Sequence, residues 1–160
     1  MQIGPWKCDT CGKIIDQVEN GWMEWLRITD FDKNKSKEYG LRLVHNRPSS
    51  PRKQGCQYNE REEYDAHKAV VQDLPLEEYV GPQGLMNLLE MIVEKELPKK
   101  EVVEMIKRLH IPQYEQAKDY FESAMSEGVF ESNRRPGFYS QEQIEEVVRW
   151  AEQRKRESYG

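Results

Sequence analysis

Three cysteines and three histidines are the residues of this 160-residue chain that could act together on a metal ion or as nucleophiles. All three cysteines lie within the first 56 residues, two of them in the run Cys8-Asp9-Thr10-Cys11-Gly12. Two residues between thiolates let a tight turn aim both sulfurs at one tetrahedral ion, and the glycine that follows relieves the backbone there. Cys56 supplies a third thiolate, and an imidazole completes a Cys3His set. His45 is the expected fourth ligand, because it ends the strand-like run Leu41 to His45; His67, on an expected helix, is its rival. The ion expected from such a set is structural zinc. Binding worth roughly 10 kcal/mol or more would stabilise a segment with so few aliphatic side chains.

With that spacing, residues 6 to 56 resemble a zinc ribbon or treble-clef module, the Cys8–Cys11 turn standing for the knuckle. A treble clef often takes its fourth ligand from a helix, which is what keeps His67 in contention. Four protein ligands close a zinc site, whereas catalysis on the metal needs an open coordination position and a nearby base. The His-x-Glu with Pro-Cys-x-x-Cys pattern and the His-Glu-x-x-His pattern are both absent. A redox role for Cys8 and Cys11 would require a helix N-terminus in a thioredoxin-like sheet, and the flanks read as loop and short strand. No Ser-His-Asp grouping, P-loop or dinucleotide glycine pattern occurs, so no catalytic residue is expected.

The elements that must position these ligands are read from periodicity. Short strands are expected at Lys13 to Ile15, Gly21 to Ile28 and Gly40 to His45, with polar loops at Asp30 to Tyr39 and Arg47 to Gly55. After Cys56 the period changes to 3.6. Asn59 and Glu62 read as a capping box for a helix running to about Asp73. Three further helices are marked by Leu85, Leu88, Leu89, Ile92; by Val102, Val103, Ile106, Leu109; and by Tyr114, Ala117, Phe121, Ala124, Met125. Pro98 and Pro112 suit first-turn positions and Gly128 the residue past a helix end. Val129 to Glu131 and Gly137 to Tyr139 read as a hairpin. Ser140 and Gln143 form a capping box for the last helix, whose buried stripe is Ile144, Val147, Val148, Ala151. The fold class expected is therefore α+β: a zinc-stabilised β module at 1–58 followed by a helical domain at 59–160, with a small hairpin near 129–139.

The order of elements from 82 to 157 resembles a winged helix, with residues 112 to 127 as recognition helix and Arg134-Arg135 in the wing. That resemblance implies DNA as a partner, through Arg134, Arg135 and the N-terminal module. Charge argues for a different partner. Residues 1–60 carry 10 Lys and Arg against 8 Asp and Glu, while residues 61–160 carry 14 against 21, and a negative domain repels phosphates. In the helix itself Glu115, Asp119, Glu122 and Glu127 oppose one Lys118. The leading expectation is a non-enzymatic adaptor or inhibitor that binds another protein, of a size and composition that fit a bacterial or phage accessory protein. Trp22 and Trp25, three apart on a strand, face opposite ways and are expected in packing, not as one stacking platform. His110 is expected to pack or to face a helix C-terminus. No apolar run approaches the roughly 18 residues that span a bilayer, no signal-like leader is read at the N-terminus, and the odd cysteine count argues against a disulfide framework. A cytoplasmic location is expected.

Overall fold

A computed structural model describes residues 4–132 and 135–160. The chain forms two compact units, Met1–His110 and Ile111–Gly160.

In the first unit, β1 (Trp6–Lys7) and β2 (Ile14–Ile15) make a two-stranded antiparallel ribbon. β3 (Gly21–Asp30), β4 (Lys35–His45) and β5 (Ala69–Pro75) make an antiparallel sheet in the order β4-β3-β5. Two features of the β3–β4 hairpin follow from single residues. Asn34, which tolerates a left-handed backbone, sits at φ 49 and closes the turn, so β4 begins at Lys35 and most of the polar segment expected as a loop is strand. The register slips between Glu24 and Leu26, placing Gly40 at φ +74 in a bulge beneath Tyr58, whose hydroxyl donates to the Gly40 carbonyl at 2.9 Å.

The helix expected from Asn59 to about Asp73 is α1, Glu60–His67. Asn59 caps it by accepting from the Glu62 N–H, and Lys68 ends it in the left-handed region at φ 57. The next residues are β5. Val70 and Val71 are β-branched, and β3 offers them a ladder from Ile28↔Ala69 to Trp22↔Pro75, which outweighs the local helical pattern. The expected boundary after residue 58 therefore falls inside the first unit. α2 (Gly81–Glu94) and α3 (Lys99–His110) lie where periodicity placed them and share a core with the ribbon and sheet: Trp6, Ile15, Met23, Leu43, Leu88, Met91, Val102 and Met105. Trp25 is buried, its indole N–H donating to Glu38 at 3.1 Å, and Trp22 packs against the same core.

In the second unit the expected helix at 112–127 is two short ones, α4 (Tyr114–Ala117) and α5 (Phe121–Ser126). The break turns Phe121 so that its ring stacks on Tyr139, centroids 3.7 Å apart, and this pair nucleates a small core with Tyr114, Ala117, Ala124, Ile144 and Val147. Gly128 ends α5 at φ +76. Among the described residues no strand forms between 129 and 139; Arg134 lies outside them, and Arg135 sits over the Phe138 ring. α6 (Gln141–Ser158) begins with the expected capping box, Ser140 accepting from the Gln143 N–H while the Gln143 side chain accepts from the Ser140 N–H. Among the described residues no helix is long and apolar enough to cross a membrane.

Candidate metal centre

The turn between β1 and β2 carries the first two thiols. The Cys8 N–H donates to the Lys13 carbonyl, and the Gly12 N–H, at φ +75, donates to the Cys8 carbonyl, both at 2.9 Å. Asp9, between the cysteines, fastens this turn to the edge of β4. Its N–H donates to the Leu43 carbonyl and its carboxylate accepts from the Leu43 N–H, each at 2.8 Å. Fixing the turn at Leu43 sets it beside the last residue of β4, His45.

Cys56 arrives from the other side, at the end of the Arg47–Gly55 loop. Its carbonyl accepts from Thr10 Oγ1 at 2.6 Å and from Arg42 Nη2 at 3.2 Å, and its sulfur lies 3.1 Å from Ser50 Oγ. Arg42 is itself held, its Nε donating to the buried Glu24 carboxylate at 2.6 Å and its guanidinium stacked 3.5 Å from the centre of the Tyr58 ring. The Glu24 carboxylate also accepts from the Tyr58 N–H. Burial raises the Glu24 carboxyl, against the opposing pull of the Tyr58 N–H and of Arg42.

The outcome is a closed cluster. One ligand atom from each of Cys8, Cys11, His45 and Cys56 lies within 4.8 Å of all the others. Nδ1 of His45 is 3.4 Å from the Cys11 sulfur and 3.9 Å from the Cys56 sulfur. Metal–sulfur bonds near 2.3 Å and metal–nitrogen bonds near 2.0 Å give tetrahedral edges of about 3.6 Å (S to N) and about 3.8 Å (S to S), and the two sulfur-to-Nδ1 separations lie close to the first of these. Nε2 of His45 lies 3.1 Å from the Ile14 carbonyl and donates to it. Were a metal bound at Nδ1, this bond would be the outer contact that orients the ligating imidazole.

The thiols are prepared unequally. For Cys8, burial opposes ionisation, but the backbone N–H groups of Cys11, His45 and Thr10 and the His45 side chain prevail and lower its pKa to about 7. Burial pushes the Cys56 thiol up to about 11; the Ser50 hydroxyl works against this, while Cys11 and Cys8 add to it. Three sulfurs packed this closely repel one another as thiolates unless a cation lies among them. The donor set can therefore hold a metal ion, and thiolate with imidazole suits a soft or borderline ion over a hard one.

The structure brings together the four residues expected from spacing. It leaves His67 outside, exposed at the end of α1. His110 packs as expected of a structural histidine, its Nε2 donating to the Tyr79 carbonyl at 2.8 Å. Sequence reading missed the supports. Arg108 on α3 donates from Nη1 to Asp9 Oδ2 at 2.8 Å and from Nη2 to the Lys7 carbonyl at 3.0 Å, and so binds α3 to the cysteine turn. An acidic residue inside a Cys-x-x-Cys turn was the one available hint, because it needs a partner; nothing local marked Arg108 as that partner. Comparison with protein-family models, curated proteins and solved structures finds no match to this chain.

Proposed function

We propose that Cys8, Cys11, His45 and Cys56 hold a structural zinc ion, and that the protein acts without catalysis, as an adaptor or inhibitor that binds another protein. The observation that carries this reading is the gathering of the donor set: four protein ligand atoms all within 4.8 Å of one another, with Cys8, His45 and Cys56 buried, would fill a tetrahedral ion and leave no coordination position for a reacting water or substrate. The binding surface is best supported on α2. Met86, Leu89 and Val93, at i, i+3 and i+7, form an exposed apolar stripe on a helix whose opposite side already faces the core through Gly84, Leu88 and Met91. Apolar stripes of this kind are what a helix presents to a partner.

Zinc analysis of the purified chain tests the first half: one equivalent is expected, lost in Cys11→Ser and in His45→Ala and kept in His67→Ala. Zinc retained by His45→Ala but lost by His67→Ala would overturn the ligand assignment. For the second half, capture from a lysate is run in parallel with the parent and with Leu89→Lys combined with Val93→Lys, after both hold equal zinc. A protein retained by the parent and absent from the variant is expected. Identical capture by both, together with salt-dependent binding of duplex DNA by both, would replace this reading with a nucleic-acid one.

A further inference from the structure

The sheet has two edges, and they are treated differently. On β4 the outer edge is closed at Leu41 and Leu43: the Leu41 N–H donates to Glu101 Oε1 at 2.8 Å, and Leu43 exchanges hydrogen bonds with Asp9 through both its N–H and its C=O. On β5, the other outer strand, α1 packs against the strand and the Val71 carbonyl accepts from Gln72 Nε2 at 3.4 Å, but among the described residues no hydrogen bond from another element reaches the backbone of residues 69–75, apart from the ladder to β3.

Which groups β5 presents can be deduced from β4. Leu43 turns its N–H and C=O away from β3, so Met23↔Leu43 is a non-hydrogen-bonded pair. Met23 must then turn its own N–H and C=O toward β5, which makes Met23↔Leu74 a hydrogen-bonded pair. The period of two, unbroken by any register shift between β3 and β5, extends this to Gln72 and Val70. Ala69, Val71 and Asp73 therefore point their N–H and C=O groups outward. The strand carries no lysine, no bulge and no internal proline to blunt that edge; Pro75 stands only at its end.

The side chains of the same strand are self-complementary. Val70 and Leu74 are 51% and 42% exposed, large for apolar residues in a sheet, and they flank Gln72 on one face. A two-fold axis through Gln72 sets β5 antiparallel to itself. Val71 of one copy then meets Asp73 of the other as a hydrogen-bonded pair, using the groups that point outward. Val70 meets Leu74, and Gln72 meets Gln72, as non-hydrogen-bonded pairs, where side chains approach most closely. Shifting the axis to Val71 would leave Leu74 without an apolar neighbour across the strand pair. The geometry points to a second copy of this chain as the occupant of the β5 edge, giving a two-fold dimer with a continuous six-stranded sheet. One strand pair buries little area, so the dimer is weak and concentration-dependent.

This surface is separate from the α2 stripe, and its test is independent of the partner proposed above. The mass of the full zinc-loaded chain, followed by light scattering over a hundredfold range of concentration, is expected to rise from 19.0 kDa toward twice that value. Val70→Lys with Leu74→Lys should hold it at the monomer with zinc content unchanged. On mild oxidation Gln72→Cys should form a covalent dimer in far higher yield than Leu74→Cys, whose opposite residue is Val70, or than the parent chain. A parent monomeric throughout, a dimer that survives the two lysines, or equal crosslinking by Gln72→Cys and Leu74→Cys would each overturn the assignment. Should the lysine pair fail to fold, the cysteine comparison decides.

Discussion

Arg108→Met is expected to weaken the first unit through the cysteine turn, although residue 108 lies far from any cysteine in sequence. The Arg108 side chain is 6% exposed and donates to Asp9 and to the Lys7 carbonyl, while Asp9 is 27% exposed. Removing one member of a fully buried pair costs about 3–5 kcal/mol, because the other charge is left behind. Here Asp9 keeps the Leu43 N–H and some access to water, and methionine keeps most of the arginine stem's packing, so about 2–3 kcal/mol is the expected loss. With a urea slope of about 2 kcal/mol per molar, the midpoint should fall by about 1 M. The assay is urea unfolding followed by tryptophan fluorescence at a fixed excess of zinc, which keeps mass action on the bound state constant. Asp9→Asn and the double variant complete a cycle whose coupling should exceed about 1 kcal/mol. A loss below about 0.5 kcal/mol for Arg108→Met, or additivity within about 0.5 kcal/mol, would refute the claim that this pair fastens α3 to the metal turn.

Two further outcomes follow from the same geometry. Metal must displace the proton of Cys56, raised to about 11, and below about pH 7 that of Cys8 as well. Affinity measured against a competing chelator should therefore fall at least about tenfold per pH unit from 11 down to 7, and more steeply below; a flat profile would contradict thiolate ligation. Gly40→Ala places a Cβ 2.7 Å from the Tyr58 hydroxyl at a φ of +74, so a loss of about 1–3 kcal/mol is expected in thermal unfolding. Unchanged stability would show that the bulge relaxes without cost.

The gathering of Cys8, Cys11, His45 and Cys56 was legible because its chemistry is local. Two thiols two residues apart constrain one another through a single turn, and a soft-ligand set narrows the search for the rest to a few residues. The choice of His45 over His67 was less local: it rests on Asp9 fastening the turn to Leu43, a contact between residues 34 apart, and on the Ile14 carbonyl that orients the imidazole. Helices with a long apolar stripe, α2, α3 and α6, were also readable. The misreadings share a cause. Residues 69–73 can continue a helix by local pattern, and became strand because β3 offered a ladder; residues 112–127 carry an acceptable helical stripe, and break because Phe121 gains more by stacking on Tyr139. In both places a long-range partner outweighed propensity, which a single sequence records only weakly.

The compact unit that holds the cysteine cluster does not end at residue 58. Cys8 and Cys56 belong to one apolar cluster with Trp6, Leu43, Leu88, Met91, Val102 and Met105, so the ribbon, the sheet and the α2–α3 pair close a single core. The segment before residue 59 has too few aliphatic side chains to bury its sheet by itself; α2 and α3 complete that burial, and Arg108 fixes α3 to the ribbon by hydrogen bonds. A metal ion held by the cysteine turn would thereby be coupled to α2 and α3, both well downstream of Cys56, and so to the α2 face that carries Met86, Leu89 and Val93. Loss of the ion should be felt at that face, because the turn, Asp9, Arg108 and the shared core stand in mechanical series between the two. Under the proposed function, an ion held there would act by setting the shape of that surface, a role that needs four ligands and no open coordination position.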